Sequence, residues 1–134
     1  MIKLYYSPNS CSMSEHIVLE WIGDQYQAEQ VQIGSEEFKK IAPKGAVPAM
    51  QDNNWEVMTQ NWALLSYLIE KYPDADLWSD GTIEGNYKVR MLTDFIESDL
   101  HPAFVPIFMP SAFTTQSDET SLDSIKQAAY LRID

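Results

Sequence analysis

The sequence predicts an α/β domain followed by an all-helical segment. Residues 1–78 alternate between short runs of β-forming residues and stretches with helical periodicity, in the order βαβαββα. Residues 79–134 show only helical periodicity. The 45% hydrophobic and 12% aromatic content is enough for a packed core. The predicted boundary between the two domains lies at the end of the stretch PDADLW, before SDG, where the composition is typical of a linker.

The first strand and the first helix are separated by a short polar turn. The run IKLYY is apolar and rich in β-formers, which predicts a buried strand. The run MSEHIVLEWI repeats apolar residues at intervals of three and four, and Gly23 follows as a stop signal. Ser12 and Glu15 have the spacing of a capping box, so we expect Ser12 to cap this helix.

The next elements follow from similar signals. YQAEQVQI predicts an edge strand with exposed glutamines, and SEEFKKIA predicts a short helix capped by its serine. AVPAMQ and WEVM, separated by DNN, predict a hairpin. Because Pro48 lies within a strand pattern, that strand should be at an edge or carry a cis peptide bond. QNWALLSYLIEKY predicts a helix that Pro73 stops.

The remaining residues predict helices. An apolar stripe in one long helix consists of Tyr87, Met91, Leu92, Phe95 and Ile96. The three prolines of HPAFVPIFMP predict that this helix kinks and ends near Met109. SAFTTQSD is expected to be a loop, and SLDSIKQAAYLRI a further helix.

Charge and composition exclude several classes of function. Nine basic and twenty acidic residues give a net charge of −11, which disfavours binding to nucleic acid or to anionic membranes. We expect no membrane span, because no apolar run approaches about 20 residues, and the N-terminus does not resemble a signal peptide. A single cysteine cannot form an internal disulfide, so the sequence favours a reducing, cytoplasmic location.

That cysteine, Cys11, lies where a helix is predicted to begin. Backbone N–H groups and the positive end of the helix dipole favour a thiolate there, and such placement lowers a cysteine pKa from about 8.5 to about 3.5–7.5. The spacing is Cys11-x-x-Ser14, so any redox chemistry must use one thiol and an external partner. The alternative, a buried apolar filler, is equally compatible with its position.

Two further motifs have both a functional and a structural interpretation. Val47-Pro48 could pair its backbone with an extended, peptide-like ligand, or it could be an ordinary junction between a loop and a strand. Gln60-Asn61 opens a helix, where amides can hold a carboxylate, although Asn is also a common N-cap. Taken alone, the structural interpretation is favoured for both motifs.

The histidines give a weaker signal. His101 lies just before Pro102 in the long helix and is a candidate for proton transfer or ligand binding, although such a histidine is more often a surface residue. His16 is interpreted as a residue of the helix surface. Two histidines and one cysteine spread in this way show no metal signature.

Taken together, these segments resemble the glutathione S-transferase family, and most of all its bacterial beta-class members. KLYYSPNSCSMSEHIVLEWIG is similar to the family's first strand, turn and helix. PKGAVPAMQ, WEVMTQNWALLSYLIEKYP and DFIESDLHPAF resemble later segments in the family's order. The resemblance implies a thioredoxin-like glutathione-binding domain over residues 1–78, and the start of an all-helical domain over residues 79–134.

The resemblance also implies a site and an activity. Glutathione would be the co-substrate, with Cys11, Ser12, Tyr6 and His101 as catalytic residues. The implied glutathione-binding residues are Ser10, Cys11, Lys44, Val47, Pro48, Gln60, Asn61 and His101. The implied activity is conjugation of glutathione to small electrophiles, as in detoxification, or exchange of mixed disulfides through Cys11, in a cytoplasmic homodimer.

This chain departs from the family pattern in three respects. Gln60-Asn61 stands where the family usually has a serine or glycine after the acidic or amide residue, and Gly34-Ser35-Glu36 is acidic where the family often has a basic residue. The later helices of the helical domain are absent from the sequence, so we expect an incomplete family member with an exposed apolar face. A non-catalytic, partner-binding regulatory protein of this fold, or an inactive truncated product, are the alternatives.

Overall fold

The computed structural model describes residues 1–133 and divides them into two compact units, residues 1–78 and a unit that begins at Ser79. Within the first unit the elements follow the order βαβαββα, which confirms the prediction. These elements are β1 (Ile2–Tyr6), α1 (Met13–Ile22), β2 (Tyr26–Gln30), α2 (Glu36–Lys39), β3 (Ala49–Asp52), β4 (Met58–Thr59) and α3 (Asn61–Lys71).

The four strands form one mixed sheet with the order β2-β1-β3-β4. β1 is parallel to β2, with Ile2 opposite Tyr26, and antiparallel to β3, with Ile2 opposite Asp52. β3 and β4 form the predicted antiparallel hairpin, in which Ala49 lies opposite Thr59. β2 is therefore an edge strand, as its exposed glutamines predict.

Alternation along β1 gives each face of the sheet its own core. Ile2 and Leu4 pack with Leu19 of α1 and with Leu64 and Leu68 of α3. The core on the other face contains the buried residues Tyr5, Phe38, Ala42 and Ala49. Each large side chain buried in this way contributes about 1.5–3 kcal/mol of transfer free energy, so the two cores hold α1 and α3 on one side of the sheet and α2 on the other.

The sequence predicts that the strand with Pro48 lies at an edge of the sheet or carries a cis peptide bond, and the second of these two is found. The Val47-Pro48 peptide bond is cis. β3 lies between β1 and β4 and is not an edge strand. Because β3 begins only at Ala49, the proline lies outside the hydrogen-bonded ladder and removes no donor from it.

In the second unit the long helix is less regular than the sequence predicts. It consists of α4 (Ile83–Phe95), a π-helical turn over Ile96–Leu100 and α5 (His101–Phe108). Two prolines lie in α5, and the missing N–H group of the first interrupts the α-helical ladder where the π-helical turn ends. The helix stops before Met109, as predicted.

The segment after α5 also differs from the sequence prediction in one respect. A 3₁₀ turn forms over Pro110–Phe113, where the sequence predicts only loop, because proline suits the first position of such a turn. The predicted last helix is present as α6 (Glu119–Ile133).

The helices of the second unit leave most of their apolar side chains exposed. Along α4, Tyr87 is 63% exposed and Phe95 is 51% exposed. Among the described residues after Ser79, Ala129 is the only one that is buried. This confirms the expected exposed apolar face of the long helix.

The N-cap of α2 gives a first testable prediction. Ser35 accepts a hydrogen bond from the backbone N–H of Phe38 at 3.2 Å, and Phe38 is a core residue. Ser35→Ala should lower the free energy of unfolding by about 1 kcal/mol, because it leaves that N–H without its acceptor. Urea denaturation measures the effect. Ser35→Asn, which keeps an acceptor, should retain most of the stability, and equal losses in both variants would contradict the capping role.

Candidate functional site

Serine side chains close the turn between β1 and α1. Ser12 Oγ accepts a hydrogen bond from the Ser7 N–H at 3.1 Å and lies 2.7 Å from Ser10 Oγ. Ser10 Oγ in turn donates to the Ser7 carbonyl at 2.7 Å. The turn therefore has a defined shape and holds Cys11 between two anchored serines.

The predicted capping bond from the Ser12 side chain is wrong. Ser12 occupies the N-cap position of α1, but its backbone is helical and its side chain makes no capping bond. The hydroxyl is already used within the turn, and the side chain is fully buried. Glu15, three residues later, is also completely buried. The contacts of Ser12 are those of a residue that braces the turn.

The thiol of Cys11 reaches across to the segment before β3. Its Sγ donates to the carbonyl oxygen of Val47 at 3.3 Å, although the two residues are 36 positions apart. The side chain is half-buried, which argues against the alternative of a buried apolar filler. α1 begins two residues later, and the Ser14 N–H donates to the Cys11 carbonyl at 3.1 Å. The cysteine thus lies where the strand gives way to the helix.

The partner of the thiol belongs to the cis-proline segment. Val47 is half-buried and Pro48 is buried. The β1–β3 ladder begins with Ala49 opposite Tyr5, so Val47 lies just outside it. A residue at this position can pair its backbone with an extended ligand next to the sulfur.

The start of α3 lies against the same turn. Asn61 Oδ1 accepts a hydrogen bond from Ser14 Oγ at 2.6 Å, which joins the first turns of α1 and α3. Gln60, just before the helix, has φ 79° and ψ 116°, a conformation that costs a non-glycine residue about 1–3 kcal/mol. Such strain is typical of residues held in place at ligand sites.

Tyr6, at the end of β1, is half-buried and packs against His16, with 5.0 Å between the ring centroids. The ring of His16 also meets Tyr26 edge-on at 5.8 Å. His16 is half-buried, so it lies at the helix surface as predicted but packs against both tyrosine rings. Its position between two tyrosines depends on how β1, β2 and α1 pack, which helical periodicity alone does not reveal.

Two further predicted residues lie at exposed positions. Lys44 is exposed in the loop three residues before Val47. His101 is the first residue of α5 in the second unit and is also exposed. In the first unit, hydrogen bonds bring together the predicted residues Ser10, Cys11, Ser12, Val47 and Asn61. The sequence analysis missed Ser14, which contacts both Cys11 and Asn61 and whose only signal was its place in the Cys-x-x-Ser spacing.

The described residues contain neither a cluster of metal ligands nor a membrane-spanning helix. No three acidic, histidine or cysteine side chains within residues 1–133 lie together as metal ligands would. None of the helices in the same range is both long enough and apolar enough to cross a membrane.

The sheet order, the thiol at the β1–α1 junction and the cis proline before β3 define the first unit as a thioredoxin-like domain, and helices follow it. No family model matches the sequence. A glutathione S-transferase of Xanthomonas campestris, GST-4.5, is 34% identical over 115 residues, which cover 84% of this chain and 56% of that protein.

Solved structures give the same result. A bacterial beta-class glutathione S-transferase of Sphingomonas chungbukensis is 33% identical, with a TM-score of 0.77 over 98% of this chain and 64% of that one. A sphingomonad glutathione S-transferase, complexed with glutathione, is 31% identical with a TM-score of 0.78, again over 98% and 64%. The chain belongs to the glutathione S-transferase family. It spans a little over half the length of the curated relatives it matches.

Proposed function

We propose that this chain acts as a glutathione-dependent transferase, which conjugates glutathione to small electrophiles or exchanges mixed disulfides through Cys11. The observation that carries the proposal is the 3.3 Å hydrogen bond from the Cys11 thiol to the Val47 carbonyl, next to the cis proline. This contact puts the one thiol of the chain beside a backbone segment suited to an extended tripeptide. The glutathione bound to the 31% identical relative supports the choice of ligand.

In the proposed complex, the residues around the thiol divide the recognition of glutathione among them. The backbone of Val47 pairs with the cysteinyl residue of the tripeptide, and Pro48 shapes that segment. Gln60 and Asn61, at the start of α3, hold the γ-glutamyl end, where the helix dipole favours its α-carboxylate. Lys44, in the exposed loop, supplies positive charge in a chain that is otherwise strongly acidic.

For conjugation, the site would stabilise glutathione as its thiolate. Hydrogen bonds from the turn and the positive end of α1 lower the cost of the negative charge. The glutathione sulfur then attacks an electrophilic carbon, a C–S bond forms, and the leaving group departs with its electron pair. Ser10 and Tyr6 are the hydroxyl-bearing candidates to stabilise the sulfur, and Ser12 braces the turn that carries them.

For exchange, Cys11 would itself be the nucleophile. Its thiolate attacks the glutathione sulfur of a mixed disulfide, forms a bond to that sulfur and releases the other thiol. A second glutathione thiolate then attacks the new disulfide, which restores the Cys11 thiolate and releases oxidised glutathione. Because the chain has one cysteine, the second glutathione is needed to complete the cycle.

The second unit has a proposed role as well. We infer that residues 1–78 form the glutathione-binding domain and that residues 79–134 are the start of the all-helical domain. His101 is its candidate for proton transfer or ligand contact. We also propose a cytoplasmic homodimer that functions in detoxification, in line with the family resemblance.

Isothermal titration tests the ligand. The protein should bind S-methylglutathione, a form that cannot react, and should bind the dipeptide cysteinylglycine more weakly, because the dipeptide lacks the γ-glutamyl end. Asn61→Ala should weaken only the binding of the tripeptide. An absence of heat at millimolar S-methylglutathione would remove the proposal, and binding without turnover of any electrophile or disulfide would favour the regulatory alternative.

A further inference from the structure

We propose that the edge of β2 that faces away from β1 is a docking site for an extended basic segment of a partner protein. The segment adds a strand to the sheet and places a Lys or Arg side chain beside α2. This surface includes none of the candidate glutathione-binding residues, so the inference goes beyond the proposed function. It rests on the sheet topology, on the exposure of β2 and on a cavity at the end of this strand.

The outer edge of β2 presents backbone groups that the described sheet does not cover. β2 is the last strand in the order β2-β1-β3-β4, so it has β1 on one side only. The N–H of Val31, just after β2, donates to the Tyr6 carbonyl of β1 at 2.8 Å. Because successive residues of a strand direct their N–H and C=O groups to opposite sides, those of Ala28 and Gln30 point away from β1. Such a row of backbone groups is a template for a further strand.

β2 also lacks the usual protection of an edge strand. Four of its five residues are exposed, and the sequence YQAEQ contains neither proline nor lysine. Edge strands that stay unpaired are typically very short, bulged, or protected by lysine and proline. The composition of β2 therefore leaves its outer edge accessible to a partner strand.

A cavity of about 260 Å³ lies where β2 ends beside α2. Its apolar wall includes Val31, Phe38 and Ile41, which belong to the core on this face of the sheet. Its charged residues are Glu29, on β2, and Glu37, in the first turn of α2, and both are exposed. An apolar wall beside two carboxylates fits a side chain with an apolar stem and a cationic end, as Lys and Arg have.

The neighbouring lysines leave this cavity open to a cation from outside. Lys3 pairs with Glu29 at 2.6 Å and Lys39 pairs with Glu36 at 2.8 Å, and neither lysine lines the cavity. A carboxylate accepts several hydrogen bonds through its two oxygens, so a peptide cation can join Lys3 on Glu29. Glu37 supplies the second carboxylate.

Charge favours a basic segment over a second copy of this chain. The chain carries a net charge of −11, so pairing two β2 edges would bring like charges together. A basic segment is instead attracted to the same surface. Its backbone pairs with Ala28 and Gln30 and supplies affinity, while its cation meets Glu29 and Glu37 and supplies specificity.

The first test measures the charge requirement by fluorescence polarisation. The probe is a labelled, capped nonapeptide of alternating Thr and Val residues, with one central Arg and Ser at both ends. The same peptide with citrulline, an uncharged isostere of Arg, should bind about tenfold more weakly, since two partly exposed ion pairs are lost. The double variant Glu29→Gln, Glu37→Gln should raise the Kd for the Arg peptide about tenfold and leave that for the citrulline peptide unchanged.

The second test measures the backbone requirement. A form of the Arg peptide with its backbone amides N-methylated should not bind. Ala28→Pro removes an N–H that points away from β1, so it should abolish binding while the β1–β2 ladder is kept. Ala28→Val keeps that N–H and is the matched control, with the affinity of the wild-type protein. Urea denaturation checks that Ala28→Pro folds, and the double variant decides the question if it does not.

Several results would overturn the proposal. They are a folded wild-type protein that does not bind the Arg peptide, equal binding of the N-methylated form, an unchanged Kd in the double variant, and undiminished binding by folded Ala28→Pro. A wild-type dimer in sedimentation that Ala28→Pro dissociates would assign the edge to a second copy instead. None of these measurements depends on glutathione, so failure here leaves the proposed function standing.

Discussion

Replacement of Cys11 by alanine is expected to abolish thiol exchange while leaving the fold intact. The side chain is small and half-buried, and its thiol donates to the Val47 carbonyl, so its removal costs little packing. Exchange through a mixed disulfide, however, has no other nucleophile in a chain with a single cysteine. Loss of a catalytic nucleophile typically lowers the rate by about a thousandfold or more, so the activity should fall to the uncatalysed level.

Two assays measure the effect of Cys11→Ala on thiol exchange and on conjugation. Mass spectrometry after incubation with oxidised glutathione should show one glutathionyl group on the wild-type protein and none on Cys11→Ala. Conjugation of a model electrophile, measured in parallel, tells whether the cysteine is also needed when glutathione itself is the nucleophile. Retained conjugation would assign that reaction to the hydroxyl groups of Tyr6 and Ser10.

The control for this experiment is Met13→Ala. Met13 is half exposed and lies two residues from the thiol, so its truncation changes the neighbouring surface without touching the sulfur chemistry. This variant should exchange disulfides at the wild-type rate. Exchange activity that survives in Cys11→Ala would show that the nucleophile is elsewhere and would remove the mechanism proposed for this residue.

Local patterns in the sequence predicted most of the fold. The apolar, β-forming residues of IKLYY predicted a buried strand, and Gly23 ends α1 in the left-handed conformation expected of a C-cap glycine, with φ 73°. The periodicity of α3 and the proline after it predicted both the helix and its end. These features depend on residues close in sequence, which is why they could be read from the sequence alone.

The candidate site was less predictable, because its contacts join distant segments. The helix start after Cys11 and the proline at position 48 were visible separately, but the bond from the thiol to Val47 exists only in the folded sheet. The link between Ser14 and Asn61 likewise requires α1 and α3 to pack side by side. The buried position of Ser12 was missed because capping-box spacing occurs whether or not the serine caps the helix.

A buried cluster of charged and polar groups at the end of β3 was also missed, and Asp52 is its centre. Its side chain is almost completely buried, with the residue 3% exposed. It accepts hydrogen bonds from Lys71 Nζ and from the hydroxyl of Tyr67, both on α3, and from Asn53 Nδ2 at 2.9 Å. The cluster therefore joins the end of a central strand to the last turns of the helix that carries Asn61 at its start.

The charged groups of this cluster make the free energy of unfolding depend on pH. Burial raises the pKa of Asp52, but the hydrogen bonds from Lys71 and Tyr67 outweigh it and hold the pKa below the ordinary value of 3.8. A carboxyl with a lowered pKa in the folded state stabilises the fold at pH values above its unfolded pKa. That contribution is fully present at neutral pH and is lost as the pH falls below about 3.8 toward the folded value.

Asp52→Asn is therefore expected to lower the free energy of unfolding by about 2–3 kcal/mol at pH 7. Loss of one partner from a buried pair typically costs about 3–5 kcal/mol, and the partial exposure of the Lys71 side chain, 30%, reduces that figure. Urea denaturation at pH 7 and at about pH 3 measures both effects, and the deficit should shrink in acid, because the stabilisation that comes from the lowered pKa of Asp52 decreases as the pH falls below 3.8. Asp74→Asn, in the exposed turn after α3, is the matched control and should stay within about 0.5 kcal/mol of wild type. A deficit at pH 7 as small as that of the control, or one that does not change with pH, would show that the Asp52 carboxylate does not stabilise this end of the sheet.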